Sequence, residues 1–119
     1  MNSSRASKGL PALKFNAALT ADAAGYARYL GDQNYFAHDG LDGSTPSSRA
    51  AAAGYKGRFK GEALAAGQAT PDSALNTWLG SPAHAAILLD SSAVDVGIGY
   101  YNKPGSSYSY YWVLVTGVP

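Results

Sequence analysis

The chain has 119 residues, no cysteine and a formal net charge of +1, from nine Lys and Arg against eight Asp and Glu. This length predicts a single domain, residues 1–119, that buries a core without disulfide bonds, and the lack of cysteine excludes a thiol nucleophile and a cysteine-type zinc site. The balanced charge argues against binding nucleic acid through a basic surface, so we expect no nucleic-acid partner.

Helix signals dominate the first part of the chain. Residues 2–8 are polar and close at Gly9, which predicts a short helix ended by a glycine. Asn16 is a suitable N-terminal cap for a second helix, whose apolar residues recur at helical spacing up to Gly31, where we expect this helix to end. The residues of this apolar stripe are Leu19, Ala23, Tyr26, Ala27 and Leu30.

Three later helices are expected to begin in the same way, with a hydroxyl side chain followed by proline. The pairs are Thr45-Pro46, Thr70-Pro71 and Ser81-Pro82. Alternating apolar residues predict strands at 94–101 and 108–118, joined as an antiparallel hairpin, and a shorter strand is expected at 61–65. This order of elements predicts an α+β fold in which helices pack on a small antiparallel sheet.

Three chemically versatile residues are scarce, because the chain has two histidines, His38 and His84, and one glutamate, Glu62. His38 lies where a helical segment gives way to a loop, and loops on a rigid scaffold often carry function. Glu62 lies between glycine and small apolar residues. His84 lies in the first helical turn after Ser81, where the positive helix end favours the neutral imidazole that binds metals or accepts protons.

Spacing alone does not make these residues a site. Their separations of 24 and 22 residues differ from the i, i+4 histidine pair of zinc proteases, so composition and spacing alone favour boundary histidines and a solvated carboxylate. No motif supports nucleophilic catalysis or phosphate binding. Several aromatic residues near the C terminus indicate either a sugar- or lipid-binding face or ordinary strand packing. They are Tyr100, Tyr101, Tyr108, Tyr110, Tyr111 and Trp112.

An ordered set of short segments covers nearly the whole chain and resembles the CAP superfamily, in particular its compact bacterial SCP-domain proteins. The superfamily comprises cysteine-rich secretory proteins, antigen 5 and plant pathogenesis-related proteins. The segments are Tyr35–Gly40, Asp42–Pro46, Ala53–Tyr55, Gly61–Gly67, Trp78–His84 and Tyr111–Trp112. Each segment is weak alone, but the ordered set is specific.

The resemblance implies a three-layer α-β-α sandwich with a central antiparallel sheet and a cleft lined by histidine and acidic side chains. The family positions of the cleft residues fall on His38, Glu62 and His84, which are the metal ligands that it implies, with zinc the favoured divalent metal. Ser81 stands where larger members carry a second glutamate, and we expect Ser81 and Tyr55 to contact ligand. Ala63, Ala83 and Ala85 replace polar residues of the family pattern, which should weaken support for the metal ligands.

The resemblance leaves three functions open. The first is a secreted ligand-binding module with a metal-capable cleft, whose partner is a small apolar ligand or a cell-surface component. The second is a metal-dependent hydrolase with Glu62 as general base, and the third is a structural or adhesion domain with a vestigial cleft. We expect a monomer that is secreted, periplasmic or at the cell surface, with a signal peptide upstream of this sequence. No apolar run approaches the ~20 residues of a membrane span.

Overall fold

A computed structural model describes all residues, 1–119, and contains five helices and four strands. Every predicted helix and strand is present, and only the two-residue strand β1 was not expected. The elements in chain order are α1 Asn2–Ser7, β1 Lys14–Phe15, α2 Ala17–Gln33, α3 Pro46–Ala52, β2 Arg58–Ala66, α4 Pro71–Leu79, α5 Pro82–Leu88, β3 Asp95–Asn102 and β4 Tyr110–Val118. No helix is long and apolar enough to cross a membrane.

The four strands form one sheet in the order β1-β3-β4-β2. The predicted hairpin of β3 and β4 is antiparallel, and β2 pairs antiparallel with the other side of β4. The central sheet is antiparallel as expected, and the unexpected two-residue β1 adds a parallel pairing with β3 through Lys14–Asp95 and Phe15–Val96. A pair of residues is too short for the alternation of a strand to show in the sequence.

Helices cover both faces of the sheet, so the predicted α-β-α sandwich is confirmed. On one face, α2 and α3 enclose a core that contains the apolar stripe of α2 together with Leu64, Val113 and Val115. On the other face, α4 and α5 pack on a second core around Trp78, Leu88 and Trp112.

The end of α2 corrects the prediction that Gly31 terminates this helix. The helix runs to Gln33 and closes at Asn34, which adopts the left-handed conformation with φ of 49°. Asparagine tolerates this conformation better than most residues. Gly31 is needed for packing instead, since a Cβ atom there would lie 2.5 Å from the ring of Tyr101.

Two glycines of β3 let α2 lie directly against the sheet. A Cβ atom on Gly97 would lie 2.1 Å from the backbone of Leu19, and one on Gly99 would lie 2.3 Å from the backbone of Ala23. Leu19 and Ala23 are fully buried at this contact. The backbone of α2 thus lies closer to β3 than it could if Gly97 and Gly99 had side chains.

A buried arginine joins the N-terminal helix to the end of α5. Arg5 is fully buried, and its Nη1 atom donates to the carbonyl oxygens of Leu88 at 3.0 Å and Asp90 at 2.9 Å. Its Nε atom donates to the carbonyl oxygen of Pro11 at 2.8 Å. These bonds satisfy carbonyl groups at a helix end that has no further helical donors.

We expect Gly99→Ala to lower the free energy of unfolding by about 3 kcal/mol or more, because the new methyl group must push α2 off the sheet. Gly25→Ala is the matched control in α2, where an added Cβ meets nothing within 4 Å. The control should raise the free energy of unfolding by about 0.5–1 kcal/mol, because glycine is unfavourable in the interior of a helix. Urea denaturation measures both changes, and equal effects of the two substitutions would contradict the close approach.

Candidate functional site

Glu62 is the centre of a buried polar cluster on the α2 side of the sheet. It lies on β2 opposite Val115, and its side chain is only 1% exposed. Each carboxylate oxygen has a partner: Oε1 lies 2.9 Å from Nδ1 of His38, and Oε2 accepts a hydrogen bond from Nη2 of Arg49 at 2.9 Å. The only glutamate of the chain is therefore buried, and both of its carboxylate oxygens are engaged by neighbouring side chains.

Arg49 is the residue of this cluster that the sequence analysis missed. It lies on α3, donates to Glu62, and donates from the same Nη2 atom to the carbonyl oxygen of His38 at 2.7 Å. Its Nη1 atom donates to Oγ of Ser44 at 3.0 Å, and its guanidinium carbon lies 3.4 Å from the ring centroid of Tyr26. The available signal was a single arginine within the run of serine and alanine residues that forms α3.

His38 presents a free ring nitrogen at the edge of the cluster. Its side chain is 53% exposed, and its Nδ1 atom faces the buried carboxylate of Glu62. In the neutral tautomer that donates from Nδ1, Nε2 is the acceptor nitrogen. Glu62 and Arg49 thus fix the orientation of an imidazole that solvent reaches.

Asp22 adds a second buried carboxylate beside this cluster. The residue is 6% exposed, and neither carboxylate oxygen has a hydrogen-bond partner. The pKa of Asp22 is raised to about 6, chiefly by burial and also by the negative charge of Glu62, while Arg49 opposes the shift. The sequence signal was present, since Asp22 falls three residues after Leu19 on the buried stripe of α2.

His84 makes no hydrogen bond or ion pair with His38 or Glu62. It lies on α5, whose Leu88 packs in the core on the opposite face of the sheet, and its Nδ1 atom is buried without a partner. No three His, Cys, Asp or Glu side chains are grouped so that they could hold a metal ion. In this arrangement His38, Glu62 and His84 are not grouped to bind one metal ion together, and zinc binding stays a prediction.

Tyr55 and Ser81 are the two residues expected to contact ligand. Tyr55 is mostly buried, and its hydroxyl donates to Oδ2 of Asp95 at 2.8 Å, which ties the chain after α3 to β3. Burial and the bond to Asp95 raise the pKa of Tyr55. Ser81 caps α5 without a side-chain hydrogen bond and lines no pocket. Ligand contact by either residue stays a prediction.

An apolar pocket lies on the opposite face of the sheet, beside α4. Its volume is about 220 Å³, and seven of its nine lining residues are hydrophobic. Trp78 and Trp112, the only two tryptophans of the chain, both line it. The indole nitrogen of Trp112 donates to the carbonyl oxygen of Gln68 at 2.8 Å, whereas Nε1 of Trp78 is buried without an acceptor.

The sequence model of the cysteine-rich secretory protein family, also called CAP, matches residues 1–116. The chain belongs to this family. The match covers nearly the whole domain, so the resemblance drawn from the ordered segments is confirmed.

Bacterial relatives of this CAP domain share its fold. An extracellular protein containing a SCP domain from Bacillus anthracis str. Ames superimposes with a TM-score of 0.90 at 26% identity, covering 99% of this chain and 37% of that one. An outer surface protein from Borrelia burgdorferi gives a TM-score of 0.85 at 25% identity, covering 98% of this chain and 85% of that one.

A curated relative is the uncharacterized protein YkwD from Bacillus subtilis (strain 168). It is 28% identical over 99 residues, which make up 83% of this chain and 38% of YkwD. This CAP domain therefore spans less than half the length of that relative.

We expect Asp22→Asn to stabilise the domain at pH 7.5 by roughly 2–3 kcal/mol, because asparagine removes an unpaired buried charge. Folding raises the pKa of Asp22 from 3.8 to about 6. The free energy of unfolding of the wild type, relative to that of the variant, is therefore highest below about pH 4 and falls as the pH rises through about 6. Urea denaturation at pH 4 and 7.5 measures the difference. If Asp22→Asn changes the free energy of unfolding by the same amount at both pH values, the raised pKa of Asp22 is contradicted.

We expect Arg49→Gln to cost about 3 kcal/mol of folding stability, because it leaves the buried carboxylate of Glu62 without its cationic partner. Arg28→Gln is the control, since Arg28 pairs with Asp32 at the surface with 72% of its side chain exposed. Exposed pairs contribute little, so the control should change stability by less than about 0.5 kcal/mol. Chemical denaturation at pH 7 checks both values, and similar losses would show that Arg49 does not hold Glu62.

Proposed function

We propose that this CAP domain is an extracellular ligand-binding module whose ligand is a small apolar molecule. The observation that carries the proposal is the apolar pocket beside α4, which Trp78 and Trp112 both line. A ligand that fills this pocket with apolar groups would remove the apolar surface of its walls from water.

The size and composition of the pocket define the ligand further. A volume of about 220 Å³ is below the range of about 300–1,000 Å³ that is usual for drug-sized ligands, so the pocket suits a short acyl chain or a single ring system. Leu75, Ile98 and Leu114 supply apolar walls, and Asp72 is the one charged residue of the lining. This carboxylate disfavours an anionic head group at the pocket and favours a neutral one.

An extracellular setting is supported by the relatives. One is named an outer surface protein and another an extracellular protein. A ligand-binding module at such a location would take up its ligand from the medium or from a neighbouring surface. The absence of cysteine means that the domain needs no oxidising compartment to fold.

The polar cluster supports hydrolysis less well than ligand binding. A general base must accept a proton from water, and both oxygens of Glu62 are already engaged by His38 and Arg49. Zinc held by His38, Glu62 and His84 would require Glu62 to exchange these partners. A rise in melting temperature with Zn²⁺ that His84→Ala removes would favour the metal-binding alternative.

The pocket is tested with 1-decanol, a neutral molecule with one hydroxyl oxygen. Because Trp78 and Trp112 both line the pocket, binding should change the intrinsic tryptophan fluorescence in a saturable way and raise the melting temperature. Leu75→Phe, which narrows the pocket, should weaken binding by about tenfold or more. Leu79→Phe on the same helix is the control, since Leu79 packs against the core but does not line the pocket.

Two outcomes would overturn this proposal. The first is that 1-decanol and its shorter and longer homologues leave fluorescence and melting temperature unchanged, which would favour a structural or adhesion domain. The second is equal weakening of binding by Leu75→Phe and Leu79→Phe, which would place the ligand elsewhere.

A further inference from the structure

Two aromatic side chains near the turn of the β3–β4 hairpin, Tyr100 and Tyr110, belong to neither core. Tyr100 and Trp112 are paired in register, with ring centroids 4.4 Å apart, and the rings of Tyr100 and Tyr110 are nearly parallel at 6.4 Å. Tyr100 is 45% exposed. Neither Tyr100 nor Tyr110 packs against the core of its face of the sheet.

The hydroxyl groups of these two tyrosines are not used inside the fold. Tyr26, Tyr35, Tyr55 and Tyr101 donate to Ala37, Asp39, Asp95 and Asp32, whereas Tyr29, Tyr108 and Tyr111 resemble Tyr100 and Tyr110 in making no such bond. No hydrogen bond of this kind holds the hydroxyls of Tyr100 and Tyr110. Their rings and their hydroxyls are both available to a ligand.

Polar but uncharged groups border these rings. Asn102 pairs in register with Tyr110, so its exposed amide lies on the same face of the hairpin. Gln68 lies beside Trp112, because its carbonyl oxygen accepts the indole N–H, and its side-chain Oε1 atom is buried without a donor. The β3 and β4 residues of this face, from Ile98 to Asn102 and from Tyr110 to Trp112, carry no charge.

We propose that this face, formed by Tyr100 and Tyr110 over the buried ring of Trp112, with Asn102 and Gln68 at its border, binds a neutral oligosaccharide. A pyranose ring has a face of C–H groups and a rim of hydroxyls. The C–H face packs on the electron-rich faces of aromatic rings, and the rim exchanges hydrogen bonds with amide and phenol groups. The exposed ring of Tyr100, the free hydroxyls of both tyrosines and the exposed amide of Asn102, on strand positions without any charge, match this chemistry.

Other ligand classes fit this face less well. An anionic polymer would find no cation on these strand positions, and a purely apolar ligand would leave the exposed amide and the two phenol hydroxyls unused. The proposal does not depend on the apolar pocket. The two sites share only Trp112, so sugar binding and decanol binding are separable.

Isothermal titration calorimetry with chitotetraose and cellotetraose, two neutral tetrasaccharides, tests the proposal. Tyr100→Ala should weaken binding of the preferred tetrasaccharide by about tenfold or more, and Tyr110→Ala should weaken it by a smaller factor. Tyr108→Ala is the matched control, because Tyr108 is also an exposed tyrosine of the hairpin, at 50%, but it packs against Phe36. The control should bind as the wild type does.

Each result of this experiment decides for or against the proposal. Heat from neither sugar at millimolar concentration would overturn it, as would binding that Tyr108→Ala weakens as much as Tyr100→Ala does. Thermal melting of all variants shows that they are folded, and Leu75→Phe should keep full sugar affinity. If Tyr100→Ala abolishes decanol binding while no sugar binds, the face belongs to an apolar ligand and the proposal is wrong.

Discussion

The close contact between α2 and β3 is the constraint on which both the fold and the polar cluster depend. Because Gly97 and Gly99 have no side chains, the helix backbone at Leu19 and Ala23 lies against the strand. Asp22, between these two residues, is brought near the negative charge of Glu62, and Tyr26, one turn further along, lies beneath the guanidinium of Arg49. A wider helix–sheet distance would leave the cluster open to water and weaken every charge interaction in it.

The cluster shows how a chain with few charged residues accommodates ionisable side chains in its interior. Glu62 is compensated by Arg49 and oriented against His38, whereas Asp22 has no hydrogen bond and its pKa rises to about 6. Two carboxylates therefore share the charge of a single guanidinium. This excess of buried negative charge costs stability near neutral pH, and that makes the cluster a functional candidate rather than a purely structural device.

The two faces of the sheet carry different chemistry. The α2 side holds the charged cluster, while the side of α4 and α5 holds an apolar pocket that ends near an uncharged aromatic surface. Trp112 connects the pocket to that surface, since it lines the pocket and packs 4.4 Å from Tyr100. The proposed apolar and sugar ligands both lie on the side of α4 and α5, but they contact different residues apart from Trp112, so substitutions such as Leu75→Phe and Tyr100→Ala distinguish them.

The sequence by itself determined most of the architecture. Hydroxyl–proline pairs set the starts of three helices, a 3.6-residue stripe set the buried face of α2, and alternation set the hairpin, because these are local properties of backbone and side chains. Through the ordered segments that resemble the CAP family, it also marked His38, Glu62 and His84 as neighbours, and of these His38 and Glu62 are in direct contact. Gly31 was misread, since a glycine near a helix end can serve packing as well as termination, and only the position of Tyr101 distinguishes the two.

Only the tertiary structure decided which scarce residues meet. Sheet alternation places Glu62 on the α2 face, while α5 packs its Leu88 into the core of the other face, and no hydrogen bond joins its His84 to the cluster. Arg49 enters the site from α3, and Asp22 of α2 is buried beside it. These outcomes depend on contacts between residues distant in the chain, and local sequence patterns do not specify such contacts.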